Sequence, residues 1–289
     1  MKQLEVFLKG LWIGGTMTVP GVSGGTMAIL LGIYDRLIGA VSGLVPKKSG
    51  AREGRGNASS YGKSVKESIL FLTVFLLGAG GGMLAFAKLI SALLEQPAAG
   101  SYVRFFFFGA VAGGIPLILS SAKVKRFSVW LVLLPVVGAG LVYALSFLPE
   151  EMFSLEAAGG AGAFFLKLAG GVILAIALVL PGVSASQMLY TLGIYEELIE
   201  CIGAFRLSPL IPLAIGTVLG ILLITRTLDT LMKRYPMQTF LIIFGFIIGS
   251  LPELSPRNAG GNSLLCGLFT AVGFLLAYWI GKRERREEA

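Results

Sequence analysis

The sequence predicts an all-α polytopic membrane protein built from two inverted-topology repeats, each a re-entrant helical hairpin followed by three transmembrane helices. Three observations carry this: long apolar runs, an internal duplication and a one-sided distribution of basic residues. Of the 289 residues, 55% are apolar and 14% charged, and the mean hydropathy is +0.82. A hydrocarbon core about 30 Å thick takes roughly 20 helical residues to cross. Runs at 68–94, 102–121, 128–148, 209–225, 237–254 and 263–281 reach or approach that length. Two further pairs, 4–19 with 27–41 and 164–180 with 187–204, have limbs short for full spans and flank a Pro-Gly-Val-Ser motif. They predict hairpins over 4–41 and 164–204. The forty glycines suit closely packed membrane helices, where small residues let backbones approach.

The duplication is direct. Pro20–Ile38 and Pro181–Ile199 align without a gap and share 11 of 19 residues, including Pro-Gly-Val-Ser and Leu-Gly-Ile-Tyr at the same spacing. Further on, Gly109, Gly113 and Pro116 match Gly245, Gly249 and Pro252, and Gly138 and Tyr143 match Gly273 and Tyr278. The offset shortens by ~25 residues, as repeat insertions allow, because a polar stretch at 46–67 is present only in the first copy. That stretch, rich in Ser, Gly, Lys and Arg, reads as a cytoplasmic loop unable to bury a core. Repeat 1 therefore covers 1–150 and repeat 2 covers 160–289. An odd number of spans after each hairpin turns the second repeat over, the architecture in which secondary transporters bind substrate between broken helices near the midplane.

The net charge of +8 reads as topology rather than nucleic-acid binding, since Lys and Arg collect on the cytoplasmic face. With each pair treated as a hairpin, 18 of the 24 basic residues fall on one side. They lie at the N-terminus (Lys2, Lys9), in the 46–67 loop, at 123–126, at Arg226, Lys233 and Arg234, and at 282–286. The other side holds Glu95, Glu150, Glu151 and Glu156 with only Arg206 and Arg257. Both termini are expected in the cytoplasm of a protein of the cytoplasmic membrane. Ten full spans satisfy the same count; the short limbs favour hairpins. The chain has no His, and its two cysteines, Cys201 and Cys266, form no metal or redox spacing. No metal or other cofactor is expected, no cleavable signal peptide is read at the N-terminus, and nothing specifies an oligomer.

The motif has chemical consequences. Proline removes a backbone donor and glycine permits unusual dihedrals, so each Pro-Gly breaks its helix. Such backbone persists at membrane depth only inside protein or beside a polar cavity. Ser23 and Ser184 are suited to cap the helices that follow, with Thr26 and Gln187 three positions on; the second copy resembles a capping box. The N–H groups at such a tip suit a phosphate. The expected phosphate-binding residues are Pro20, Gly21, Val22, Ser23, Gly24, Gly25 and Thr26 with Pro181, Gly182, Val183, Ser184, Ala185, Ser186 and Gln187. The alternative is that the tips only pack on each other. Lys88, Arg104 and Lys167 are candidate basic partners, because intramembrane charge points to function unless it snorkels. Asp35 and Glu196 are candidate coupling acids or exposed interfacial acids. Tyr34 and Tyr195 suit the interface as aromatic anchors.

The two stretches PGVSGGTMAILLGIYDRLI and PGVSASQMLYTLGIYEELI resemble those of the bacterial and archaeal polyprenyl-phosphate transporter family, PopT type, and the resemblance covers nearly the whole chain. It implies a lipid-carrier flippase that returns undecaprenyl phosphate from the outer to the cytoplasmic leaflet. It supplies no residue-level mechanism. The second copy departs at Ala185, Ser186 and Gln187, so the two half-sites need not bind equally. Undecaprenyl-pyrophosphate phosphatase has similar hairpins with a Pro-Gly-x-Ser turn, but there an Arg and a Glu-rich segment accompany the serine. Here Gly24 and Ala185 follow the serines, with no His or carboxylate cluster nearby in sequence, so acid–base help is missing and no enzyme is expected. A transporter of a small soluble anion remains a rival, and a purely structural protein comes last.

Overall fold

The computed structural model describes residues 2–45, 57–122, 129–145, 161–204, 206, 208–255 and 261–288, and among these it is helical throughout, with no strand. The first half, expected as repeat 1, contains α1 (Gln3–Thr16), α2 (Gly24–Leu30), α3 (Tyr34–Leu44), α4 (Asn57–Glu95), α5 (Pro97–Ser121) and α6 (Trp130–Leu145). The second half, expected as repeat 2, contains α7 (Ala161–Val179), α8 (Ala185–Thr191), α9 (Tyr195–Gly203), α10 (Ile211–Arg234), α11 (Pro236–Leu254) and α12 (Ser263–Glu288). Six helices are long and apolar enough to cross a membrane: α4 from Ser64, α5, α7, α10 with the turn before it, α11, and α12 as far as Arg283. The chain is a multi-pass membrane protein.

The helices pair by glycine. In α1 against α4, Gly10 and Gly14 meet the backbone at Phe75 and Ala79, and Gly78 and Gly82 meet it at Phe7 and Leu11. In α7 against α10, Gly171 abuts Leu213 and Gly216 abuts Leu168. Any Cβ at these glycines would collide with backbone, so the close approach rests on their lacking one. Two further pairs join the repeats. Gly109 and Gly113 of α5 lie on Thr270 and Phe274 of α12, and Gly245 and Gly249 of α11 lie on Pro135 and Ala139 of α6. Within each of these pairs contact positions rise together, so the helices run parallel. The second pair repeats the first with the units exchanged.

Three expectations change in detail. First, each returning limb is two helices, not one. Gly32 and Gly193 adopt φ of +62° and +66°. The N–H groups of Gly32 and Ile33 bond back to Ile29 and Ala28, and those of Gly193 and Ile194 to Tyr190 and Leu189. This is a Schellman-type stop, which a left-handed glycine permits. The adjoining Ile33 and Ile194 are fully buried. In repeat 1 the two pieces meet at 117°. Second, the six apolar spans differ in membership from those expected: α7, read as a short limb, is 19 residues long, whereas the described part of α6 is 16. At 1.5 Å per residue α7 extends about 28 Å, against about 21 Å for α1. Third, α4 begins at Asn57, inside the stretch read as a loop. Once an apolar helix is nucleated, adding polar residues to its end is easy. The remainder of that stretch, 46–56, lies outside the described residues, as do the basic residues at 123–126 and Arg257.

Candidate functional site: a cavity between the hairpin tips

Each tip forms in the same way. Pro20 has no N–H to reach the carbonyl of Thr16, and α1 stops there. Pro20 and Gly21 then occupy the centre of a turn in which Val22 N–H bonds to the Val19 carbonyl at 3.1 Å. Gly21 has φ of +84° and Gly182, its counterpart, +81°. A proline followed by a positive-φ glycine is the signature of a type II turn.

The two tips touch. Pro181 lies so near Gly25 that a Cβ there would stand 3.1 Å from the proline ring nitrogen. Gly182 N–H donates to Thr26 Oγ1 at 3.0 Å in a buried bond. Tyr34 is not an interfacial anchor: it is buried, and its hydroxyl donates at 2.9 Å to the carbonyl of Val179, the last residue of α7. It thereby satisfies an acceptor that the broken helix leaves open. Both tips also lean on α11, Gly21 beside Glu253 and Gly182 against Phe246 and Ile247.

A cavity of about 520 Å³ opens beside this contact, within the range of small-molecule sites. Its wall takes Pro20 and Gly21 from the first tip, and Ser184, Ser186, Gln187 and Tyr190 from the second. Arg104 of α5, Tyr143 of α6, and Gly249, Pro252, Glu253 and Ser255 at the end of α11 complete it. The lining thus offers hydroxyl, amide and guanidinium donors around one space, with a single carboxylate. The guanidinium is suited to bidentate contact with a phosphate.

The expected residues divide clearly. Arg104 lines the cavity, while Lys88 is exposed on α4. Lys167 is tied to Glu197 at 2.5 Å and to the Pro209 carbonyl at 3.3 Å, away from the cavity lining. Asp35 and Glu196 are exposed in the first turns of α3 and α9, as interfacial acids are. The remaining members of the first motif are packed away: Val22, Ser23, Gly25 and Thr26 are buried, and the Met17 thioether stands over Gly24. In the second motif Val183 is buried and Ala185 half-buried.

The capping expectation holds for one copy. Ser184 Oγ accepts from Gln187 N–H at 3.4 Å and shares a hydrogen bond with Ser186 Oγ at 3.0 Å. Ser23 Oγ makes no such bond and is buried without a hydrogen-bond partner. Thr26, its box partner, serves the opposite hairpin instead. Since α2 and α8 are seven residues each, what the tips offer to the cavity is side-chain donors rather than the end of a long helix dipole.

Sequence reasoning missed Glu253, Tyr143, Tyr190 and Ser255 as cavity residues. The absence of a carboxylate near the serines is corrected by Glu253, which arrives from the end of α11. A signal did exist, for Pro252 and Tyr143 both belong to matched pairs of the duplication. No group of metal-ligating residues occurs among the described residues, and both cysteines are buried free thiols.

The chain matches the model of the VCA0040-like, undecaprenyl phosphate translocase-like family over residues 13–264. It is 30% identical over 259 residues to a polyprenyl-phosphate transporter of Vibrio cholerae serotype O1, covering 89% of this chain and 79% of that protein. It is 26% identical over 258 residues to a polyprenyl-phosphate transporter of Staphylococcus aureus, covering 86% and 85%. No solved structure matches it. With its duplicated broken hairpins and a cavity at their meeting point, the chain belongs to the undecaprenyl phosphate translocase-like family.

Proposed function

We propose that the protein is a flippase that carries a polyprenyl phosphate, of the undecaprenyl phosphate class, across the cytoplasmic membrane by alternating access. The carrying observation is the cavity at the tips, whose wall combines Arg104 with Ser184, Ser186 and Gln187. The phosphate sits there, with the guanidinium supplying charge and the second tip supplying orientation. A groove of about 660 Å³ between α5 and α12 starts at Phe105, next to Arg104, and is walled by Cys266, Gly267, Thr270, Ala271, Phe274 and Leu275. Its largely apolar wall suits the isoprenoid tail, which need not leave the bilayer while the head group crosses.

The inverted arrangement of the repeats is part of this reading, and the parallel packing of α5 with α12 and of α6 with α11 supports it. Consecutive spans reverse direction, so α5 and its counterpart α11 run oppositely. On this topology Lys2, Lys66, Lys233, Lys282 and Arg283 share one end of the bundle, the cytoplasmic one, with both termini. The cavity lies toward the other end, the access state that transport from the outer to the cytoplasmic leaflet begins from.

The protein acts as a transporter, not a phosphatase. Ser184 Oγ is engaged with Gln187 N–H and Ser186 rather than with a base, and the relatives are named as transporters. Translocation of labelled polyprenyl phosphate in proteoliposomes tests the proposal. Arg104→Ala removes charge-assisted bonds and is expected to weaken lipid binding about 10- to 100-fold, with transport falling in step. Unchanged binding in that variant refutes the site. Competition by inorganic phosphate as strong as by the lipid favours a soluble-anion carrier, and phosphate release from a polyprenyl pyrophosphate refutes the non-enzymatic reading.

A further inference from the structure

A second cavity, of about 290 Å³, lies between α5 and α12 near their C-terminal ends. It is lined by Gly113, Pro116 and Leu117 of α5 and by Tyr278 and Lys282 of α12, among others. These residues are the repeat counterparts of the first cavity's wall. Gly249, Pro252 and Glu253 each stand 136 positions after Gly113, Pro116 and Leu117, and Tyr278 stands 135 after Tyr143. The supporting helix contacts correspond as well: Gly109 and Gly113 on Thr270 and Phe274 become Gly245 and Gly249 on Pro135 and Ala139. The same unit of structure therefore makes a cavity twice, once toward each end of the bundle.

The two copies differ in how far they reach. The first extends to both tips. No tip residue borders the second, because α2 is packed down on α5: the Leu30 side chain fills the space over Gly114, and Met17 stands over Gly24. The Ser23 hydroxyl beneath is buried and unpartnered, the state of a donor whose ligand is elsewhere. Pro116 and Pro252 occupy matched places in the two walls, inside α5 and α11. Each removes one backbone hydrogen bond at the point where its helix must flex for access to change.

We infer that this second α5–α12 cavity is the counterpart of the first, smaller and cut off from the tips, and the chamber through which the phosphate head group of the lipid leaves toward the basic end. Lys282 and Tyr278 are its polar contacts. The inference rests on the flippase reading above and adds a second site to it. The chambers are chemically unequal: the wall of the first contains both Arg104 and Glu253, whereas the second has Lys282 and, in place of the glutamate, Leu117. An anion entering the second chamber meets positive charge with no opposing carboxylate, which draws it toward the basic end.

The test measures lipid binding and translocation separately in reconstituted protein. Leu117→Trp fills the second chamber, and Lys282→Glu reverses its charge, both leaving the first chamber intact. Each is expected to keep binding of labelled polyprenyl phosphate within about twofold while translocation falls about tenfold or more. Lys282→Arg, which retains the charge, recovers most of the rate. Should Leu117→Trp fail to fold, the Lys282 pair decides alone. Wild-type translocation in Lys282→Glu with wild-type binding overturns the second chamber and leaves the flippase reading standing. A wild-type protein that binds and moves no polyprenyl phosphate overturns both.

Discussion

Ser23 and Ser184 hold the same place in two copies of one motif and both are buried, yet one has no hydrogen-bond partner while the other is bonded and borders the cavity. The difference extends over the whole hairpin. The first is fastened across the molecule: Tyr34 to the Val179 carbonyl, Thr26 to Gly182 N–H, Ser42 to Asp229 at 3.1 Å, and Arg36 over the Phe71 ring. Its α2 belongs to the largest apolar cluster, together with parts of α4, α5, α10 and α11. Apart from the two bonds it shares with the first, at Val179 and Gly182, the ties of the second hairpin are more local. Lys167 pairs with Glu197, Arg206 with Glu200, and Tyr195 stacks on Tyr190 at 4.0 Å. Its α8 shares two smaller clusters. One sequence motif thus serves as a wedge on one side and as a cavity wall on the other. A transporter with pseudo-symmetric halves can reach its other access state by exchanging these roles.

Substitutions at matched positions break or sharpen this contrast. The largest effect is expected at the positive-φ glycines of the two tips, Gly21 and Gly182. Alanine at either meets backbone strain of about 1–2 kcal/mol. At Gly182 the new Cβ also runs into the Phe246 carbonyl, whereas at Gly21 its nearest neighbours, at Glu253, are 3.4 Å away. Thermal unfolding in detergent should rank Gly182→Ala well below Gly21→Ala; equal losses would mean that the two breaks are equally enclosed.

Next comes the bond between the tips. Thr26→Val leaves the buried Gly182 N–H without its acceptor, a cost of about 1–3 kcal/mol, and Thr26→Ser restores it. The matched change at the second tip, Gln187→Val, breaks no bond of that kind and should affect lipid binding more than unfolding. Loss of stability in both variants would erase the distinction between wedge and wall.

The serines give the smallest effect and the sharpest sign. Ser184→Ala removes an N-cap, worth about 0.5–2 kcal/mol. Ser23→Ala removes a hydroxyl with no partner, so unfolding should be unchanged or slightly harder, while translocation slows because the alternate state loses a donor. Comparing the two melting curves with the two transport rates checks both halves of the statement. A destabilised Ser23→Ala protein would show that its hydroxyl is already in use.

Much of the architecture was legible from residues near one another in the chain. Pro20 and Pro181 marked the helix breaks because a missing N–H acts locally. The second stop at Gly32 and Gly193 was equally local and stood in the repeated Leu-Gly-Ile-Tyr, but with apolar residues on both sides it read as an uninterrupted limb. The cavity was less accessible. Arg104, Lys88 and Lys167 were indistinguishable as intramembrane cations, and only packing decides that one lines the cavity, one is exposed on α4 and one is bound to Glu197. Glu253 and Tyr143 lie far from either motif in sequence and reach it through the close pairing of α11 with α6.

By itself, then, the sequence determined the membrane class, the duplication and the two Pro-Gly breaks, since hydropathy, proline and glycine act over a few residues. The tertiary structure decided which serine of the two Pro-Gly-Val-Ser copies lines the cavity, which cation shares its wall and which helices complete it. The reason is that identical tips carry identical local chemistry. What separates them is the neighbours delivered by helices distant in the chain, through contacts between glycines and backbone that no local pattern specifies.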